Sequence, residues 1–140
     1  MKDKERKIGI RFGELHPMIL PLRESIDTFC SYDFECNLYI LEVKARENFY
    51  DDWIIEKIKF DKNIQIAKDT NKDFLYLSEY NSIGYVHNVS KLVEKNYDFK
   101  WQTKNLPETT EFNKTNWIPK HIGYMHIKDS KIIQLGEGND

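Results

Sequence analysis

Apolar residues in this chain come in short alternating runs, and turn residues interrupt them about every eight to twelve positions. Alternation places every second side chain on one face, so a chain patterned this way buries its apolar groups by forming half-covered strands. The clearest instance is DFLYLSEYNSIGYVHNV at 73–89, which reads as strand, Asn-Ser turn, strand. CNLYILEV at 36–43 is the most apolar short run and predicts a central strand covered on both faces. KIGIRFG at 7–13 alternates Ile8, Ile10 and Phe12 against polar neighbours and predicts another strand. HPMILPL at 16–22 carries Pro17 and Pro21, which deny ladder donors, and predicts an edge or a loop.

Two segments break the alternation. Leu22, Ile26 and Phe29 sit at helical spacing after Pro21 and predict one short helix. Tyr50, Ile54 and Ile58 recur at every fourth position, with Asn48 as N-cap, and predict a second helix ending near Ile55. EKIKFDKNIQIAKD at 56–69 then reads as a hairpin around Asp61, Lys62 and Asn63. Beyond it, NYDFKWQTK at 96–104 predicts a strand and NLPETTEFNKTNWIP at 105–119 a long polar surface loop. KHIGYMHIKDSKIIQLGE at 120–137 predicts a closing hairpin around Lys128, Asp129 and Ser130. Residues 1–7 read as a frayed charged leader and 138–140 as a tail, leaving 1–140 as a single domain. The expected class is α+β, dominated by an antiparallel sheet of hairpins with one or two short helices in the N-terminal half.

Composition excludes several classes. An aromatic content of 14% with a net charge of −2 argues against disorder, because large rings bury much surface per residue. No run of about 18 apolar residues occurs, so no spanning helix is expected. No apolar export segment follows the charged N-terminus, which makes the cytoplasm the expected location. Cys30 and Cys36 match no zinc spacing and are expected to be reduced thiols. Gly-rich phosphate loops and nucleophile-elbow motifs do not occur, and His121 and His126 are badly spaced for paired ligands. No metal and no cofactor is expected.

One pattern is written twice. IGYVHNVSKLV at 83–93 is echoed by IGYMHIKDSKII at 122–133. As strands, the copies place Ile83, Tyr85 and His87 on one face and Ile122, Tyr124 and His126 on the matching face of a neighbour. The architectural reading is two analogous strands of one antiparallel sheet, with Gly84 and Gly123 at bulges or beneath aromatic rings. The chemical reading is a small metal-independent ribonuclease or phosphodiesterase. In it His87 and His126 act as acid and base, Lys128 or Lys120 is the cation, and Tyr85 or Tyr124 orients the phosphate. The His-x-Ser/Thr pair of two-histidine phosphoesterases is absent from both copies, and the architectural reading is preferred.

Charge is distributed more informatively than its total suggests. Residues 24–56 hold nine acidic side chains against only Lys44 and Arg46, whereas the flanking segments are net basic. Asp33, Glu35, Glu47, Asp51 and Asp52 are interleaved with Phe34, Phe49, Tyr50 and Trp53. Carboxylates beside aromatic anchors suit docking to a basic protein, since rings supply desolvated contact area and acids steer the encounter. Nucleic acid is a poor partner for such a face, because its phosphates are repelled. The functional expectation is therefore a non-enzymatic protein-binding module, of the immunity or antitoxin type, that neutralises a basic nuclease-like toxin domain. Asp33, Glu35, Glu47, Tyr50, Asp51, Asp52 and Trp53 are the expected contact residues. A homo-oligomer remains open, as does an aromatic pocket for a small ligand.

Overall fold

The computed structural model describes residues 1–16, 22–25, 31–107 and 116–136. Among them run α1 (Asp3–Leu15), β1 (Arg23–Glu24), β2 (Phe34–Glu35), β3 (Tyr39–Ala45), β4 (Asp52–Glu56) and α2 (Lys57–Thr70). There follow β5 (Asp73–Tyr80), β6 (Ile83–Asn88), α3 (Val89–Glu94), β7 (Gln102–Pro107), β8 (Trp117–His126) and β9 (Lys131–Gln134). The strands form a six-stranded sheet in the order β1-β2-β3-β5-β6-β9 and a three-stranded sheet in the order β4-β8-β7. This is an α+β fold made mostly of sheet. Its pairings are antiparallel apart from β3 with β5, which run parallel from Tyr39 opposite Asp73 to Ala45 opposite Glu79. A parallel pair needs a crossover rather than a hairpin. The crossover here contains β4 and α2, so the first strand of the second sheet is carried over the first.

The predicted central strand is β3. Leu41 and Val43 join Leu75, Leu77 and Val86 on one face, where Ile8 and Phe12 of α1 cover them together with Phe34 and Leu135. Ile40, Phe74 and Tyr76 line the other face against Phe60, Ile64 and Ala67 of α2, Val89 and Leu92 of α3, and Ile55 and Met125 of the second sheet. Covering on both faces explains the near-continuous apolar run.

Several local expectations are overturned, each for an identifiable reason. Residues 8–12 are helix, not strand. The buried positions of α1 are Glu5, Ile8, Gly9, Phe12 and Gly13, a helical stripe in which two glycines are contact sites. Residues 3–7 belong to the same helix rather than to a frayed leader. The order expected for 48–69 is reversed. Trp53 and Ile55 alternate inward along β4, and Phe60, Ile64 and Ala67 then form the buried stripe of α2. The Tyr50–Ile54–Ile58 spacing is a coincidence of composition, since Tyr50 and Ile58 are both exposed. Arg23 and Glu24 are strand rather than helix, and residues 26–30, Cys30 among them, lie outside the described residues, as do 17–21. Cys36 is a free, buried thiol.

Within the predicted 105–119 loop, Asn105–Pro107 and Trp117–Pro119 pair as strand ends, and 108–115 lie outside the described residues. The strand predicted at 96–104 begins only at Gln102. A helix in the second half, α3, was not expected. Asn88 caps it by accepting from the Lys91 N–H at 3.1 Å. The Lys128–Ser130 turn is in place, but its flanking strands do not pair: β8 belongs to the small sheet and β9 to the large one.

Gly9 gives the sharpest packing test. A Cβ built there would lie 2.1 Å from Cε2 of Phe34, a ring only 2% exposed. Gly9→Ala is therefore expected to cost about 1–3 kcal/mol of unfolding free energy by urea titration. An unchanged midpoint would show that α1 does not seat on the sheet through this glycine.

Candidate functional site

The two histidines of the repeated pattern meet, but not as a pair of imidazoles facing solvent. His87 lies on β6 beneath the second sheet and is 0% exposed. Its Nε2–H donates to the backbone carbonyl of His126 at 2.8 Å, a partner that fixes the tautomer and leaves Nδ1 as a lone pair. Burial pushes its pKa below the ordinary value and keeps the ring neutral. His126 accepts from the Lys128 N–H through Nδ1, while its own N–H donates to the Tyr97 hydroxyl at 2.9 Å. The contact is a strut between two sheets, so the copies are analogous strands of different sheets rather than neighbours in one.

Of the remaining members of that constellation, Tyr85 and Lys120 are also in structural use. Tyr85 is buried with its ring 5.7 Å from Trp53. Tyr124 stands opposite Ile54, and Lys120 pairs with Glu56 at 2.7 Å. Gly123 lies under Trp101, as expected of a strand glycine beneath a ring; a Cβ there would come within 2.7 Å of it. Lys128 is exposed.

The predicted acidic contact residues divide into two groups. Asp33 is turned inward, where Oδ2 accepts from the Val43 N–H at 2.8 Å. Burial raises its pKa, an effect the hydrogen bond only partly offsets. Glu35 stands opposite Ile40 near the start of β3, held by the Tyr32 hydroxyl at 3.3 Å and Lys72 at 3.6 Å. Asp33 is thus engaged by the β3 backbone and Glu35 lies by the start of β3, whereas the other acids follow its end.

Those later acids occupy the connection from β3 to β4, residues 46–51, and the first residue of β4. Its backbone is fastened at both ends, by Arg46 N–H to Glu79 O at 2.8 Å and Ile127 N–H to Asp51 O at 2.9 Å. Between these ties Glu47, Asp51 and Asp52 are exposed, with Phe49 and Tyr50 at 44% and 59% exposure. Trp53 is not a surface anchor: it is 1% exposed. It forms the floor instead, with the Phe49 and Tyr50 rings standing edge-on to it at 6.0 and 6.3 Å. Phe49 also contacts Tyr80 and Tyr85. Asp52 stands opposite His126, which adds the 127–129 turn to this end of the molecule. Burial first, and the charges of Asp129 and Asp52 besides, raise the pKa of the neighbouring Tyr97 phenol.

Sequence reasoning missed the polar interior between the sheets. Arg46 donates through Nη2 to Ile54 O and to the Tyr76 hydroxyl, each at 3.0 Å, and its guanidinium lies 5.6 Å from the Trp53 ring centre. Glu42, 2% exposed, accepts from Lys59 at 3.0 Å with Lys44 3.5 Å away. Burial and the proximity of Asp33 raise its pKa against the pull of the two lysines. The available signal was positional: Glu42, Lys44 and Arg46 fall on alternate residues along an otherwise apolar strand and its first following residue.

Among the described residues no group of three His, Cys, Asp or Glu could hold a metal ion, and no helix is long and apolar enough to cross a membrane. No protein-family model, no curated protein and no solved structure matches the chain.

A buried neutral histidine has a defined pH signature. With the folded pKa of His87 below 6.5, the unfolded chain takes up the proton first as pH falls. Its contribution is complete above that value and is lost as pH drops through it towards the folded pKa. Asp33 and Glu42 act oppositely: their raised pKa values favour the fold at acid pH, an advantage complete below the ordinary carboxyl value and lost as pH rises from there through the raised folded values. The difference between wild type and His87→Gln isolates the imidazole. Between about pH 7.5 and 5.5 the wild-type urea midpoint is expected to fall more than the variant's. Parallel profiles would mean that His87 is not held neutral.

Proposed function

We propose that the chain is a non-enzymatic protein-binding module whose partner is cationic. In the most concrete form it is an immunity- or antitoxin-type inhibitor of a basic, nuclease-like domain. The observation that carries the reading is the tethered 46–52 stretch. Two exposed rings and three exposed carboxylates stand together there, and Glu47, Asp51 and Asp52 make no ion pair among the described residues.

The physics fits such a role. Phe49 and Tyr50 rest on a buried Trp53, so little ordering entropy remains to be lost when a partner covers them. The carboxylates raise the encounter rate with a positive surface and repel nucleic acid. A cleft built to grip phosphates is such a surface, and acids seated in it exclude the substrate. The contact set supported by the geometry is Glu47, Phe49, Tyr50, Asp51 and Asp52, with Trp53 beneath them; Asp33 is half-buried against the Val43 N–H and Glu35 lies by the start of β3. The phosphodiesterase alternative gains no support, because His87 has no surface through which to reach a phosphate.

The test is affinity capture followed by titration of the purified partner. The expected partner is basic, with an isoelectric point above about 9. Association should slow as salt rises from about 50 to about 300 mM, and the double reversal Asp51→Lys/Asp52→Lys should slow it about tenfold at low salt. Capture that returns no cationic protein, or an association rate unmoved by the double reversal, overturns the reading.

A further inference from the structure

The six-stranded sheet ends at β9, whose one described neighbour is β6. On its other side alternate residues of Lys131–Gln134 turn their N–H and C=O groups away from the sheet, with no strand beside them among the described residues. Edge strands are ordinarily blunted by brevity, proline, bulges, clustered charge or a covering segment. β9 is short, at 4 residues, but has no proline and only one charged side chain, Lys131. Ile132, the residue next to it, is 56% exposed.

This edge adjoins the tethered 46–52 stretch. Ile132 stands opposite Tyr85, and the Tyr85 ring lies 6.2 Å from Phe49. Alternation puts Ile132 on the face shared by Tyr85 and Phe49, and Lys131 and Ile133 on the other face, towards α1. Ile132, Phe49 and Tyr50 are thus exposed apolar side chains linked through the buried Tyr85 and Trp53, with Glu47, Asp51 and Asp52 flanking Phe49 and Tyr50 in the chain.

We infer that a partner docks by strand addition to β9. The occupant is an extended segment that supplies main-chain hydrogen bonds to Lys131–Gln134. On one face it sets a branched or aromatic side chain against Ile132 and Phe49, and lysine or arginine towards Asp51 and Asp52. In this mode the main chain provides affinity and alternate side chains provide selectivity. The charge requirement rests on the acidic-surface reading above; the backbone requirement does not.

The probe is a synthetic peptide of about eight residues with threonine at every second position and valine and lysine taking turns between, so that both fall on one face of the strand; it is used with the full-length chain. Two comparison peptides accompany it, one N-methylated at alternate backbone nitrogens and one with glutamate in place of lysine. Binding is read by fluorescence anisotropy and contact by amide hydrogen exchange. The Lys–Val peptide is expected to bind, to slow exchange of the outward amides of β9, and to lose affinity about tenfold on N-methylation, equivalent to one or two net hydrogen bonds. The glutamate peptide is expected not to bind. Ile132→Lys should weaken binding while leaving the urea midpoint unchanged.

Failure of each reading is distinguishable. Binding abolished by Asp51→Lys/Asp52→Lys but indifferent to N-methylation would overturn strand addition and leave the acidic surface standing. Binding sensitive to N-methylation but indifferent to the double reversal would support the edge and remove the charge requirement. No binding, or protection of β9 that grows with protein concentration without peptide, overturns the inference; the second result would assign the edge to another copy of the chain.

Discussion

Arg46 joins the two sheets. It is the residue immediately after β3, its guanidinium bonds a carbonyl of β4 and a hydroxyl of β5, and its flat face lies over Trp53. A bond with one charged partner contributes more than a neutral one, about 1.5–3 kcal/mol, and a cation over a ring adds about 0.5–2 kcal/mol. Removing the guanidinium would leave the Ile54 carbonyl with the Tyr76 hydroxyl alone, at 3.2 Å, and the Trp53 ring facing a gap between sheets. The chain leaves β3 at this point, so the same contact fixes where the following stretch emerges. Trp53 is thereby committed to the interior, and Phe49 and Tyr50 are left on the outside of it.

Much of the fold was legible in local patterns, and what was not follows a rule. The β5–β6 hairpin was clear because its alternation and its Asn81-Ser82 turn agree, with both turn residues at positive φ. β3 was clear because only a strand covered twice tolerates so apolar a run. The α1 and α2 segments misled for one reason: periods of two and of 3.6 share matches over short windows. Ile8 and Phe12 satisfy both periods, and the buried Gly9 and Gly13 that decide for a helix carry no hydrophobic signal. In 48–69 the exposed Tyr50 and Ile58 imitated a stripe, while Asn63, wholly buried at a helix contact, hid one.

Pairing was less legible than element type. The turn at 128–130 was placed correctly, yet nothing local says whether the strands on either side bond to each other. They part because β9 pairs with β6, forty to fifty residues upstream, and β8 with β4, farther still. Such contacts are set by the crossover after β3, a property of the whole chain. The Ile-Gly-Tyr echo has the same lesson. Two strands with equal sequence requirements arise wherever a glycine must admit a neighbouring side chain, Ile133 over Gly84 and Trp101 over Gly123, and the requirement does not specify a shared sheet.

The candidate surface was partly legible, and the residues that failed show what decides the matter. A count of carboxylates ranks Asp33, Glu35, Asp51 and Asp52 alike. Their environments do not. Asp33 finds a backbone N–H and Glu35 a lysine, so each has a use within the fold, and Glu42 finds two lysines in a place that water does not reach. The three on the tethered stretch meet neither a free amide nor a cation among the described residues, although Arg46 directly precedes Glu47. Arg46 is unavailable to them because it is held between the sheets. The segment keeps its negative charge outside while the Arg46 charge is held inside, and that separation, rather than the tally of acids, is what supports the proposed cationic partner.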